Sequence, residues 1–121
     1  ALASAALKAA GAKTRNGKDA PNDGDYVWGE QVVLWEATPT GPKATGKLDD
    51  VRPGDVIQYR DTKWVTKTGK RTYTGVAAHH TAIVAGVDKQ AGTLAILHQN
   101  VGGKRFVQEA TLPLADLKEG W

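Results

Sequence analysis

Two of the three histidines in this sequence stand where strand periodicity brings them together. Successive side chains of a strand alternate between its faces. In the run from His80 to Val87 (HTAIVAGV), His80 shares a face with Ala82 and Val84; in the run from Thr93 to Asn100 (TLAILHQN), Leu94, Ile96, His98 and Asn100 share one. The connection Asp88 to Gly92 is short enough to pair the two runs as a hairpin. If His80 lies on the sheet face that carries His98 and Asn100, two imidazoles and a carboxamide converge at one end of the sheet. Such a group can serve a general base: Asn100 or His98 holds the His80 ring through one nitrogen and leaves the other for proton transfer. The competing reading, polar residues solvated at strand ends, carries equal weight at this stage. His79 has the opposite parity and is expected to be exposed.

Other residue types narrow the chemistry. The chain has 121 residues, no Cys and no Met, with 16 Lys plus Arg against 13 Asp plus Glu. No disulfide, thiolate metal site or thiol nucleophile can come from these residues. A chain that opens Ala1-Leu2-Ala3-Ser4 without Met is expected to be a processed product or an excised piece. His80 and His98 could bind zinc or copper with a third ligand, but no HxH or HExxH spacing is present, and a His-based metal protein is the weaker alternative. No cofactor is expected. Between Arg60 and Arg71 five cations meet only Asp61, with Tyr59, Trp64 and Tyr73 interleaved. Such a hairpin can track an anionic polymer, either nucleic acid or an acidic cell-wall glycopolymer, although a solvated ribbon with its aromatics in the core is preferred. Nucleic acid is not expected at a net charge of +3 without a recognition signature. Trp28 and Trp35 could form a sugar-stacking platform; core packing is preferred.

The elements that must position these residues follow from pattern and turn chemistry. The length fits one domain, residues 1–121, and no apolar run approaches a membrane span. Ala1 to Ala10 is the strongest helix-forming segment, with Gly11 as its stop. Lys13 to Asp25 reads as a surface loop and Tyr26 to Ala37 as helix or strand. Thr38 to Gly46 reads as a Pro/Gly loop, and Leu48 to Asp55 as a turn. Strands follow at Asp55 to Arg60, in a hairpin from Lys63 to Thr74, at the two histidine runs, and at Arg105 to Glu109. Leu112 to Trp121 reads as a tail with one helical turn. The expected fold is α+β, one N-terminal helix on a curved antiparallel sheet of about five or six strands.

In order along the chain, four features resemble the CHAP family (cysteine, histidine-dependent amidohydrolase/peptidase) and its NlpC-type cell-wall peptidase relatives. They are the Ala-rich helix, Val51-Arg52-Pro53-Gly54-Asp55-Val56-Ile57-Gln58-Tyr59, His80-Thr81-Ala82-Ile83-Val84, and Leu97-His98-Gln99-Asn100. The resemblance implies a papain-like fold and a secreted or envelope-bound bacterial hydrolase that cleaves amide bonds of peptidoglycan through an acyl-enzyme. It implies His80 as general base, Asn100 as the residue that orients it, and His98 where the family often has Glu. The family's nucleophilic Cys stands at the start of the first helix, where the N-terminus favours a thiolate. That position falls just upstream of Ala1, so the domain is expected to be truncated there and the 121 residues alone to be inactive. Ser4, the nearest hydroxyl, is the lesser candidate for a nucleophile.

Overall fold

The structure is a computed structural model that describes residues 2–11, 30–99, 101 and 103–121; the side chain of Ser4 is also left undescribed. The loop expected at 13–25 and the stretch 26–29 lie outside the described residues. Among the described residues there is one α-helix, α1 (Leu2–Ala9). Ala provides its propensity, and Gly11, at φ 76°, ends it with its N–H bonded to the Lys8 carbonyl. The helix packs on β4 and buries Ala3.

The described strands form two antiparallel sheets. Strands β1 (Val33–Glu36) and β2 (Lys43–Gly46) form a separate two-stranded sheet, with Val33 opposite Gly46. The second comprises β3 (Val56–Thr68), β4 (Arg71–Asp88), β5 (Thr93–His98), β6 (Gln108–Pro113) and β7 (Leu117–Glu119), ordered β6-β5-β4-β3-β7. Short 3-10 turns cover Leu48–Asp50 and Leu114–Asp116.

Four sequence expectations need correction. Thr38 to Gly46 is not only loop: Thr38 and Gly41 exchange backbone hydrogen bonds of 3.1 and 3.0 Å, so the Pro/Gly cluster is a hairpin turn and β2 follows it. The strand at 55–60 and the hairpin from Lys63 are one ribbon that continues through Asp61 and, on its partner, through Ala78 and His79 into the histidine strand. Tyr59 and Thr62 are both buried although three residues apart, so strict alternation breaks between them. Asp61, at φ 48°, is where the chain changes face, a conformation few side chains adopt. The strand read at Arg105 to Glu109 instead begins at Gln108 and runs to Pro113. The C-terminal tail has its helical turn, at Leu114–Asp116, but is more than a tail, since it goes on to add β7 to the edge of β3.

The core lies on one face of the large sheet. Tyr59, Ala82, Leu94, Ile96, Leu112 and Leu114 are buried there, and Trp35, Leu48, Ile57 and Trp64 pack against them. Burying each large aliphatic side chain stabilises by about 1.5–3 kcal/mol, so this packing holds Trp35 of β1 against the large sheet. Trp35 is part of that packing, and its indole N–H donates to the Leu114 carbonyl at 2.8 Å, which ties the small sheet to the large one.

Candidate active site

Three adjacent strands place the site. Pro53-Gly54 turns the chain so that Gly54 N–H donates to the Val84 carbonyl (2.8 Å) and Val84 N–H to the Asp55 carbonyl (2.9 Å). Asp55 fixes this turn by accepting the Arg52 amide at 2.8 Å. The register that follows sets Ile57 opposite Ala82 and Tyr59 opposite His80. On the other side of β4, Val84 pairs with Ile96 and Ile83 with Leu97, so His98 comes level with the His80 end of the strand. The alternation that buries Ala82, Val84, Leu94 and Ile96 therefore carries both histidines to the end of the core face.

His80 Nε2 and His98 Nδ1 are 3.3 Å apart, and the ring centroids 5.3 Å. The contact is at the long end for a hydrogen bond. Tyr59, cross-strand partner of His80, lies with its ring centroid 5.3 Å from the imidazole. Its hydroxyl is buried without a hydrogen-bond partner, and burial pushes its pKa well above the ordinary phenol range. Tyr59 thus gives His80 a largely apolar wall on one side. The sequence reading placed Tyr59 in a strand but not against His80; only the β3–β4 register reveals that contact.

Both imidazoles are held neutral. Burial lowers the pKa of His80, and the neighbouring His98 lowers it further by charge repulsion. Burial lowers that of His98. One tautomeric arrangement leaves a usable base: His80 carries its proton on Nε2 and donates it to Nδ1 of His98, and the lone pair on His80 Nδ1 is free. His98 then does the orienting work, and because it is neutral it adds no negative charge to favour an imidazolium. Asn100, the other expected orienting residue, lies outside the described residues. His79 is exposed, as its parity requires. Among the described residues no group of three or more His, Asp or Glu is placed to hold a metal ion, and no helix is long and apolar enough to cross a membrane.

The lowered pKa values have a consequence for stability. In the unfolded chain the histidines bind protons near pH 6.5, whereas the folded chain binds them only at lower pH. Between those values the unfolded state holds more protons, so stability is complete above about pH 6.5 and falls as pH drops toward the folded values. Melting temperature is expected to fall between pH 8 and pH 5, and to fall less in His98→Gln. A profile unchanged by that substitution would show that the pair is not coupled.

The preferred reading, with the aromatics of the basic hairpin in the core, holds for Tyr59 and Trp64, which pack there edge to face at 6.5 Å, and fails for Tyr73, which is exposed. A cavity of about 310 Å³, lined in part by Trp35, Tyr59, Trp64 and Trp121, lies on the core side of Tyr59. Neither histidine lines it, so it is distinct from the imidazole pair.

Against this geometry the chain was compared with known proteins. Residues 1–121 match the family described as the AIM3/BBC1 Cysteine proteinase-fold domain. The chain belongs to that family. Comparison with curated proteins and with solved structures gives no significant match. Membership of the AIM3/BBC1 family establishes the cysteine-proteinase, papain-like fold that the histidine and Pro-Gly-Asp segments led us to expect. Among the described residues the α-helix covers eight and the sheet predominates. The AIM3/BBC1 description names a fold and no substrate.

Proposed function

We propose that the domain carries the acid–base half of a cysteine-hydrolase site that cleaves amide bonds, with His80 as general base and His98 as the residue that orients it. The observation that carries this reading is the 3.3 Å approach of His80 Nε2 to His98 Nδ1 at the end of the core face. It leaves Nδ1 of His80 for a thiol. The packing of α1 on β4, the strand of His80, supports the same arrangement. A thiol at the start of that helix would meet unsatisfied N–H groups, which favour thiolate, and an imidazole brought beside it would favour thiolate further. In such a site the thiolate attacks the carbonyl carbon, and the imidazolium returns its proton to the leaving amine. Water, deprotonated by the same ring, then releases the acyl group. Peptidoglycan at the cell envelope is the substrate class proposed from the CHAP and NlpC-type resemblance, with Asn100 as a further orienting residue.

The 121 residues include no Cys, so alkylation of an introduced one provides the test. In Ala1→Cys, or with Cys added directly before Ala1, the thiol is expected to react with iodoacetamide at pH 6.5 about tenfold faster than a free thiol. His80→Ala in the same background is expected to abolish that advantage. A rate indifferent to His80 would reject the hydrolase reading and favour a binding module that keeps the fold without its chemistry. The parent chain is expected to show no amide hydrolysis.

A further inference from the structure

Strand β4 outlasts its neighbour. Its last pair with β5 is Ile83 opposite Leu97, yet it continues back to Arg71, paired only with β3. Over Arg71 to Ala78, about 27 Å of strand, no described residue pairs with the β5 side. Residues 71–76 are all exposed, Val76 to 75% and Tyr73 to 56%. The opposite edge of the ribbon is occupied: Glu119 and Leu117 of β7 pair with Lys63 and Trp64, and Thr66 donates to Asp116 at 2.8 Å. Among the described residues the free edge is therefore that of β4, and a strand edge has alternate N–H and C=O groups directed outward.

Charge says what that edge accepts. Residues 62–78 include Lys63, Lys67, Lys70 and Arg71 and no Asp or Glu; residues 99–107, which leave β5 at the same end of the sheet, include Lys104 and Arg105 and again no acid. Phe106 in that connection is 60% exposed, with Lys104 Nζ 5.8 Å from its ring centroid. Arg71 on this edge, with Lys70 in the turn and Lys63 and Lys67 on the adjoining strand β3, repels a second copy of the same edge. These cations attract a strand of opposite charge.

We propose that the β4 edge, residues 71–78, binds an extended acidic segment of another protein by strand addition. The partner's backbone pairs with β4, its carboxylates meet Arg71 and the lysines of the adjoining turn and β3, and its apolar side chains rest on Val76. This surface is separate from the imidazole pair and does not depend on the proposed hydrolysis.

The probe is an eight-residue peptide of alternating Glu and Val with a fluorescent label, compared with the same peptide carrying Lys for Glu and with labelled duplex DNA. Anisotropy is expected to show saturable binding of the acidic peptide alone, weakened about tenfold by Lys67→Glu with Arg71→Glu. Amide hydrogen exchange is expected to slow at alternate residues between Arg71 and Ala78 when the acidic peptide is bound. Binding of DNA equal to that of the peptide, without amide protection, would overturn strand addition in favour of a polyanion surface. Self-association of the domain at the same edge would replace the acidic segment with a second copy, and no binding of any probe would leave the lysines as a shield and reject the proposal.

Discussion

Gly120→Ala is expected to cost about 3–5 kcal/mol of folding stability. Gly120 has φ 75°, and a Cβ there would lie 2.2 Å from the Arg60 carbonyl oxygen and 2.4 Å from that of Asp61. Both are backbone atoms of the central ribbon, so neither can swing aside. The close approach exists because the last residues dock on β3: Arg60 N–H donates to the Trp121 carbonyl at 2.6 Å, Trp121 N–H to the Arg60 carbonyl at 3.0 Å, and Ala37 N–H to the Gly120 carbonyl at 2.9 Å. The buried Arg60 guanidinium also sits over the Trp121 ring at 5.6 Å. Relieving the clash sacrifices these contacts, at about 0.5–1.5 kcal/mol for each hydrogen bond. Gly54→Ala is the control, since Gly54 also has positive φ, 95°, but open space around its Cβ. It is expected to lose only about 1 kcal/mol, from backbone strain. Urea unfolding of both variants checks the pair, and equal losses would mean that strain alone governs Gly120.

In a form of the domain bearing Cys at residue 1, His80→Ala is expected to lower amide hydrolysis by about 10²–10⁴-fold, the usual worth of a positioned general base. His98 acts through His80, and its substitution separates orientation from proton transfer. His98→Ala removes the acceptor for Nε2–H and should lower the rate by about tenfold. His98→Gln retains an acceptor oxygen and should recover much of that loss. The pH profile provides a readout that a purely structural role would not move. Repulsion from His98 lowers the His80 pKa. Without it, the acid limb of the rate profile is expected to shift upward toward the ordinary imidazole value, while His98→Gln keeps the hydrogen bond and shows the same direction of shift. Rates indifferent to both His98 variants would remove it from the site.

Much of the sheet was legible because its residues alternate. His80, Ala82 and Val84 on one strand and Leu94, Ile96 and His98 on the next carry the period of a half-buried strand, and the short Asp88–Gly92 connection makes them a hairpin. The helix was legible from its alanines and from Gly11. The β2 strand was obscured because Lys43-Ala44-Thr45-Gly46 is exposed throughout and has no apolar alternation to read. The length of the β3–β4 ribbon was obscured because Asp61 changes the face in mid-strand, which in sequence looks like an end. Leu117-Lys118-Glu119 is too short to carry any period, and becomes a strand only through β3.

The sequence by itself determined that His80 goes with Ala82 and Val84 on one strand and His98 with Leu94 and Ile96 on the next, since parity is a local property of the backbone. That these two faces are the same face of the sheet came from the β4–β5 pairing. The sequence also determined that no thiol is among the 121 residues. Only the tertiary structure decided how far apart the imidazoles stand, because the offset between β4 and β5 depends on hydrogen-bond register and on the irregularity between Val84 and Gly86. Only it set Tyr59 against His80, locked Gly120 and Trp121 onto Arg60, and left β4 to run past the end of β5 with one edge open. Each of these is a relation between segments far apart in the chain, fixed by what packs beside them.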